Sequence, residues 1–182
     1  MRHVIVIMAA ILTAAPALAL DMPTRKAGLW ELKMTFEGRN LPPQTMKHCT
    51  DPATDKLMNM NFGGSNEQNC SKQDMSNVGG NIVVDSVCNF SGMKVTSHAV
   101  VTGSFDSAYK VDVTSTRSGG PAVPGMPAGS NSHMIIDAKW LGTCTAGQKP
   151  GDVIMANGIS MNVLDMQKLR NMPAPPTPAP SR

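Results

Sequence analysis

The chain has 182 residues, with 16 Lys+Arg against 13 Asp+Glu and a formal net charge of +3. The charges fall singly along the sequence, without the basic runs or basic and aromatic interleaving that track a phosphate backbone, so nucleic acid is not an expected partner. With 2 Trp, 1 Tyr and 4 Phe but 15 Met, the core must be filled largely by methionine and aliphatic side chains.

Residues 1–19 read as a secretory signal peptide. Arg2 and His3 supply a basic start, residues 4–12 an apolar stretch too short to span a bilayer, and Ala17-Leu18-Ala19 a small-x-small cleavage site. Cleavage before Leu20 removes Arg2 and no acid, so the formal charge falls from +3 to +2. No transmembrane segment is expected after cleavage. Cys49, Cys70, Cys88 and Cys144 are an even number of cysteines in an exported chain, which predicts two disulfides. No two of them stand close enough for a zinc knuckle. One β-rich domain over residues 20–170 follows the signal, then a proline-rich, solvated tail over residues 171–182.

Residues 27–37 alternate without a break. Trp30, Leu32, Met34 and Phe36 share one face, and Glu31, Lys33, Thr35 and Glu37 the other, the pattern of a half-buried strand. Residues 38–43, with Gly38, Pro42 and Pro43, form a loop, and residues 44–49 return as a second strand. Thr50-Asp51-Pro52 predicts a helix start, with a capping side chain followed by proline in the first turn. Residues 59–69, with Gly63-Gly64, are a connection. Residues 70–76 and 82–90 then flank Asn77-Val78-Gly79-Gly80-Asn81 as a hairpin.

Residues 93–102 and 109–116 form the next hairpin, with Met93, Val95, Ala99, Val101, Tyr109, Val111 and Val113 inward and Lys94, Thr96, His98, Lys110, Asp112 and Thr114 outward. Residues 118–130 hold Gly119-Gly120-Pro121, Pro124-Gly125 and Pro127 and read as a long loop. In residues 133–140, Met134, Ile136, Ala138 and Trp140 alternate with His133, Ile135, Asp137 and Lys139, and Cys144 continues the phase of Trp140. Residues 152–156 face 159–163 across Asn157-Gly158, a strong hairpin signal, and residues 164–170 make one or two helical turns.

The fold class is therefore mainly β. An antiparallel meander of about six to eight strands forms a twisted sheet, a partial calycin-like barrel or a small sandwich, with one short helix. Chain order favours Cys70 with Cys88 and Cys49 with Cys144, one of the three connectivities that four cysteines allow. Placing Cys70 opposite Cys88 brings Lys72 and Asp74 into phase with Ile82 and Val84 on the apolar face, a conflict that an edge strand or a bulge would resolve.

No catalytic triad, nucleophile elbow, metalloprotease helix or phosphate loop is present in the sequence. Met46, His48, Met58, Met60, His133 and Met134 carry the thioether and imidazole donors that suit Cu(I). The methionines are nevertheless spread from Met22 to Met172, as core fillers would be, and no cofactor is expected. The candidate site is instead the continuous apolar face of Trp30, Leu32, Met34, Phe36, Val111, Val113, Ile136 and Trp140, suited to an apolar small molecule or lipid-like ligand. Gly28-Leu29-Trp30 resembles the G-x-W opening of calycins such as the lipocalins, whose barrels hold ligands.

Further motifs are Lys26-Ala27-Gly28-Leu29-Trp30-Glu31, Met46-Lys47-His48-Cys49-Thr50-Asp51-Pro52, the Cys70 and Cys88 pair around a hairpin, and Trp140-Leu141-Gly142-Thr143-Cys144. With them the chain resembles, over residues 24–163, the small bacterial envelope proteins grouped as domain of unknown function 3617 (DUF3617). The resemblance implies an exported, mainly β, periplasmic protein of a Gram-negative bacterium with no established activity, and it supplies no catalytic or ligand residues. The expected function is non-enzymatic binding of an apolar ligand on the sheet. The alternatives are an envelope structural or protein-interaction module that uses the Gly/Pro loop and the tail, and, behind it, copper binding.

Overall fold

The computed structural model describes residues 22–62, 69–121 and 129–170. The predicted signal peptide, the proline-rich tail, Gly63-Gly64 and the Pro124 to Pro127 part of the predicted loop lie outside the described residues. In chain order the elements are β1 (Gly28–Glu37), β2 (Gln44–Thr50), α1 (Pro52–Phe62), β3 (Cys70–Val78), β4 (Asn81–Phe90), β5 (Met93–Ser104), β6 (Ala108–Gly119), β7 (Asn131–Gly142), β8 (Asp152–Ile154), β9 (Ser160–Asn162) and α2 (Val163–Arg170).

All nine strands join one antiparallel sheet in the order β3-β4-β5-β6-β7-β1-β2-β8-β9. The sheet ends at β3 and β9, so it neither closes into a barrel nor splits into a sandwich. The architecture is mainly β, as expected, with nine strands rather than six to eight and two helices rather than one among the described residues. It is also not a single meander. β3 to β7 run in order, but β7 then docks on β1, which places the first strand of the chain inside the sheet.

Local chemistry explains the elements. The period-two pattern of β1 matches that of β7, pairing Leu32 with Ala138, Met34 with Ile136 and Phe36 with Met134. At the start of α1 the Thr54 amide donates to Asp51 Oδ1 at 2.8 Å, and the Asp51 amide donates to Thr54 Oγ1 at 3.0 Å, a reciprocal cap that holds the Asp51 carboxyl below its usual pKa. Pro52 occupies the first helical position, where no donor is missed. Thr54, Asp55 and Met58 form the buried stripe of the helix. The helices pack on each other, α1 also on β2 and α2 on β9. Between them lies a core of Met58, Val153 and Val163 ringed by Met46, Met155, Met161 and Met166. Flexible thioethers fill the irregular gap there, in a chain short of aromatic rings.

The conflict at Cys70 is resolved by both devices at once. β3 is the edge strand, and its register slips between Cys70, opposite Cys88, and Lys72, opposite Val87. The slip turns Met75 onto the face of Val84, while Lys72 and Asp74 stay outward, paired at 3.1 Å. Disulfides join Cys70 to Cys88 and Cys49 to Cys144. Cys144 does not continue the phase of Trp140. β7 ends at Gly142, after a bulge in which Leu29 opposes Gly142 and Trp30 opposes Trp140, with Leu141 left over.

Gly28 sits at this bulge with φ of +131°, and a Cβ there would lie 2.2 Å from the Gly142 carbonyl oxygen and 2.7 Å from Trp140 Nε1. Gly28→Ala should therefore cost about 2 kcal/mol or more in urea unfolding; wild-type stability would contradict the close approach. The two bridges close loops of 95 and 18 residues. Loop-closure entropy predicts that Cys49→Ser/Cys144→Ser loses roughly 1.5 kcal/mol more stability than Cys70→Ser/Cys88→Ser. Equal losses in the same assay would argue against that account.

Candidate functional site

All eight residues of the predicted apolar face lie on one side of β1, β7 and β6. Three rows cross these strands in register: Leu32, Ala138 and Tyr109; Met34, Ile136 and Val111; and Phe36, Met134 and Val113. Trp30 and Trp140 pair at the end near the bulge. The rows continue through Val101 and Ala99 on β5 to Ile82 and Val84 on β4. Ala138, Val101 and Ile82 are buried, while Leu32, Met34, Phe36, Val111, Val113, Met134 and Ile136 are half-buried. The helices pack at the opposite end of the sheet, on β2 and β9.

At the Trp30 end the face meets a buried polar network. Arg25 and Asp55 are 4% and 0% exposed. The Arg25 amide donates to Asp55 Oδ2 at 2.8 Å and its Nε to Oδ1 at 2.6 Å. The same guanidinium contacts His48 Nδ1 at 3.5 Å and Met58 Sδ at 3.4 Å, and lies 5.8 Å from the centre of the Trp30 ring. Because a guanidinium only donates, His48 Nδ1 accepts, and the proton sits on Nε2, which donates to Met46 Sδ at 3.1 Å. Burial first, and the Arg25 charge second, push the His48 pKa down to about 3, so the ring is neutral. Tyr109 lies against Trp30 and stacks on Phe105, and burial raises its hydroxyl pKa.

The structure thus brings three of the copper candidates, Met46, His48 and Met58, into one cluster. It does so in a form that leaves neither imidazole nitrogen with a lone pair for a metal. His133 and Met134, adjacent on β7, point to opposite faces, and the Met60 side chain lies outside the described residues. Among the described residues no group of three His, Cys, Asp or Glu side chains is placed to hold a metal ion.

The outer face carries a polar row in register across five strands: Asp85, His98, Thr114, His133 and Glu37. His98 Nδ1 meets Asp85 at 2.8 Å, and His133 bridges Glu37 at 2.7 Å and Asp112 at 2.8 Å. Both ring nitrogens of His133 thus face carboxylates, which favours the protonated ring; the Asp112 hydrogen bond is the main cause of its raised pKa. This row and Thr96, Thr116 and Asn131 line an open depression of about 630 Å³.

A family model described as "Protein of unknown function (DUF3617)" matches residues 25–144. The chain belongs to the DUF3617 family. No curated protein and no solved structure matches it. The matched span opens on Arg25 and closes on Cys144, so the DUF3617 unit holds seven strands, α1, both disulfides, the Arg25–Asp55 pair and the whole apolar face. The β8–β9 hairpin and α2 lie beyond it. Within the unit, the sequence reading missed Arg25 and Asp55. Arg25 precedes the first alternating residue, and Asp55 resembles any acid in a helical first turn. Their only local trace is the position of Asp55 one turn after the cap.

The two perturbed histidines give opposite pH dependences. His48 binds a proton more readily in the unfolded chain, so its contribution to stability is complete above pH 6.5. That contribution is lost toward pH 3, by up to about 1.4 kcal/mol per pH unit. His133 has a raised folded pKa, so its contribution is present below pH 6.5 and is lost as pH rises through that folded value. In urea unfolding between pH 6.5 and 4.5, His48→Gln should lose less stability per pH unit than the wild type. Identical slopes would mean that His48 is not held neutral in the fold.

Proposed function

We propose that this DUF3617 protein is a non-enzymatic periplasmic protein that binds an apolar, lipid-like small molecule along the face of β1, β7 and β6. The carrying observation is the in-register apolar field of Leu32, Met34, Phe36, Val111, Val113, Met134 and Ile136, which lies away from the packing of both helices. Contiguous apolar surface of this kind marks a binding surface in a chain that must stay dispersed in water, and its methionines let the lining adapt to a flexible ligand. Two disulfides fit an oxidising compartment, and no described helix is long and apolar enough to cross a membrane. The engagement of His48 with Arg25 and Met46, and of His133 with Glu37 and Asp112, favours binding over catalysis.

The neutral fluorophore N-phenyl-1-naphthylamine tests this reading. Titrated into the purified mature protein, it should show saturable emission enhancement. Val111→Asp places a charge in the middle row and should weaken binding by about ten-fold or more, which corresponds to about 1.4 kcal/mol, with the far-UV circular dichroism unchanged. Absence of saturable enhancement in the wild type would rule the proposal out.

A further inference from the structure

The apolar face is not uniform along its length. Four strands place a serine on it in a single row, Ser86, Ser97, Ser115 and Ser132, each opposite the next. The hydroxyls pair at 2.7 Å as Ser86 with Ser97 and Ser115 with Ser132. Each pair spends one O–H on itself and keeps one to donate elsewhere. All four serines are half-buried, at positions where the alternation would otherwise place valine or methionine.

One row further on, Arg117 lies opposite Val95 and is 5% exposed. It donates to the Pro121 carbonyl, and its backbone is bonded to Gly129 and Ser130. Arginine keeps its charge when buried, and Arg117 stands one row, about 7 Å along β6, from Ser115. The inward positions of β1, β4, β5, β6 and β7 contain no Asp or Glu; Asp85, Asp112 and Glu37 are all on the outer face. In the other direction, about 20 Å from Ser115 along β6, the face ends at the aromatic group of Tyr109, Trp30 and Phe105.

From this gradient we infer that the ligand is a single-chain amphiphile with an anionic head, its carboxylate or phosphate at the serine row beneath Arg117 and its chain running over Val113 and Val111 toward Tyr109. The inference rests on the apolar-face reading and adds polarity and direction to it. A purely apolar ligand would have no use for four aligned hydroxyls and a cation at one end. A cationic amphiphile would meet Arg117 with like charge.

The mature protein should be titrated by calorimetry, below micellar concentrations, with dodecanoate, dodecyl phosphate, 1-dodecanol and dodecyltrimethylammonium. Acetate and inorganic phosphate serve as heads without chains. At least one anionic chain should bind about ten-fold or more tightly than the alcohol and the cation, and the tighter of dodecanoate and dodecyl phosphate identifies the head. Arg117→Gln should remove that preference, bringing the affinity for the anionic chain down to that for 1-dodecanol measured on the same variant. Equal binding of alcohol and anions would overturn the head assignment and leave the apolar site standing. Binding of none of the chains would overturn both. Acetate or phosphate alone binding as tightly as the chains would show an anion site without a tail and also overturn the inference. Should Arg117→Gln fail to fold, the charge series on the wild type decides by itself.

Discussion

The ion pair of Arg25 with Asp55 is the contact on which the arrangement depends. One side chain from the segment before β1 reaches the first turn of α1, the imidazole of β2, the thioether of Met58 and the face of Trp30. Asp55 sits where the helix dipole favours a carboxylate, and it accepts from both the backbone and the side chain of Arg25. Such a pair roughly breaks even against apolar packing, but either partner left alone would cost about 3–5 kcal/mol. The pair therefore restricts how α1 can dock more than it adds to net stability. The neighbouring residues are fastened as well: the Trp30 and Trp140 indoles donate to the Lys26 and Ala27 carbonyls, and the Lys26 amide donates to Phe105.

This fastening gives the Gly28-Leu29-Trp30 motif a structural meaning. Gly28 has no Cβ to meet Gly142 and the Trp140 indole, so the chain can enter β1 through the bulge. Trp30, fully buried, then closes the end of the apolar face. The resemblance to the opening of a lipocalin barrel is thus one of motif and not of closure, since the sheet remains open between β3 and β9.

The two faces divide the chemistry. Outward, carboxylates and imidazoles pair across strands at hydrogen-bond distance and hold the sheet as a polar surface. Inward, aliphatic and methionine side chains cover one end together with the helices, and the rest of the face is graded from aromatic through aliphatic to hydroxyl and guanidinium. A row of serines would be a poor choice for a face meant only to pack, because hydroxyls taken from water must find partners. Even the buried histidine follows this division. Joined to Arg25 and Met46, His48 serves as a neutral link in the core.

Much of the architecture was legible in the sequence because it is local. Alternation in residues 27–37, 93–102, 109–116 and 133–140 determined strands, faces and the eight residues of the apolar field. Asp51 and Pro52 determined where α1 begins. The mismatch at Cys70 determined that an edge or a bulge must occur there, and the structure has both. What only the tertiary structure decided was lateral. The docking of β7 on β1, the reach of Arg25 to Asp55, the neutral state of His48 and the alignment of four serines from four strands, one row from Arg117, all depend on which strands become neighbours. A period of two records which face a side chain takes, but not what stands beside it, because the cross-strand partner is chosen by contacts between segments far apart in the chain.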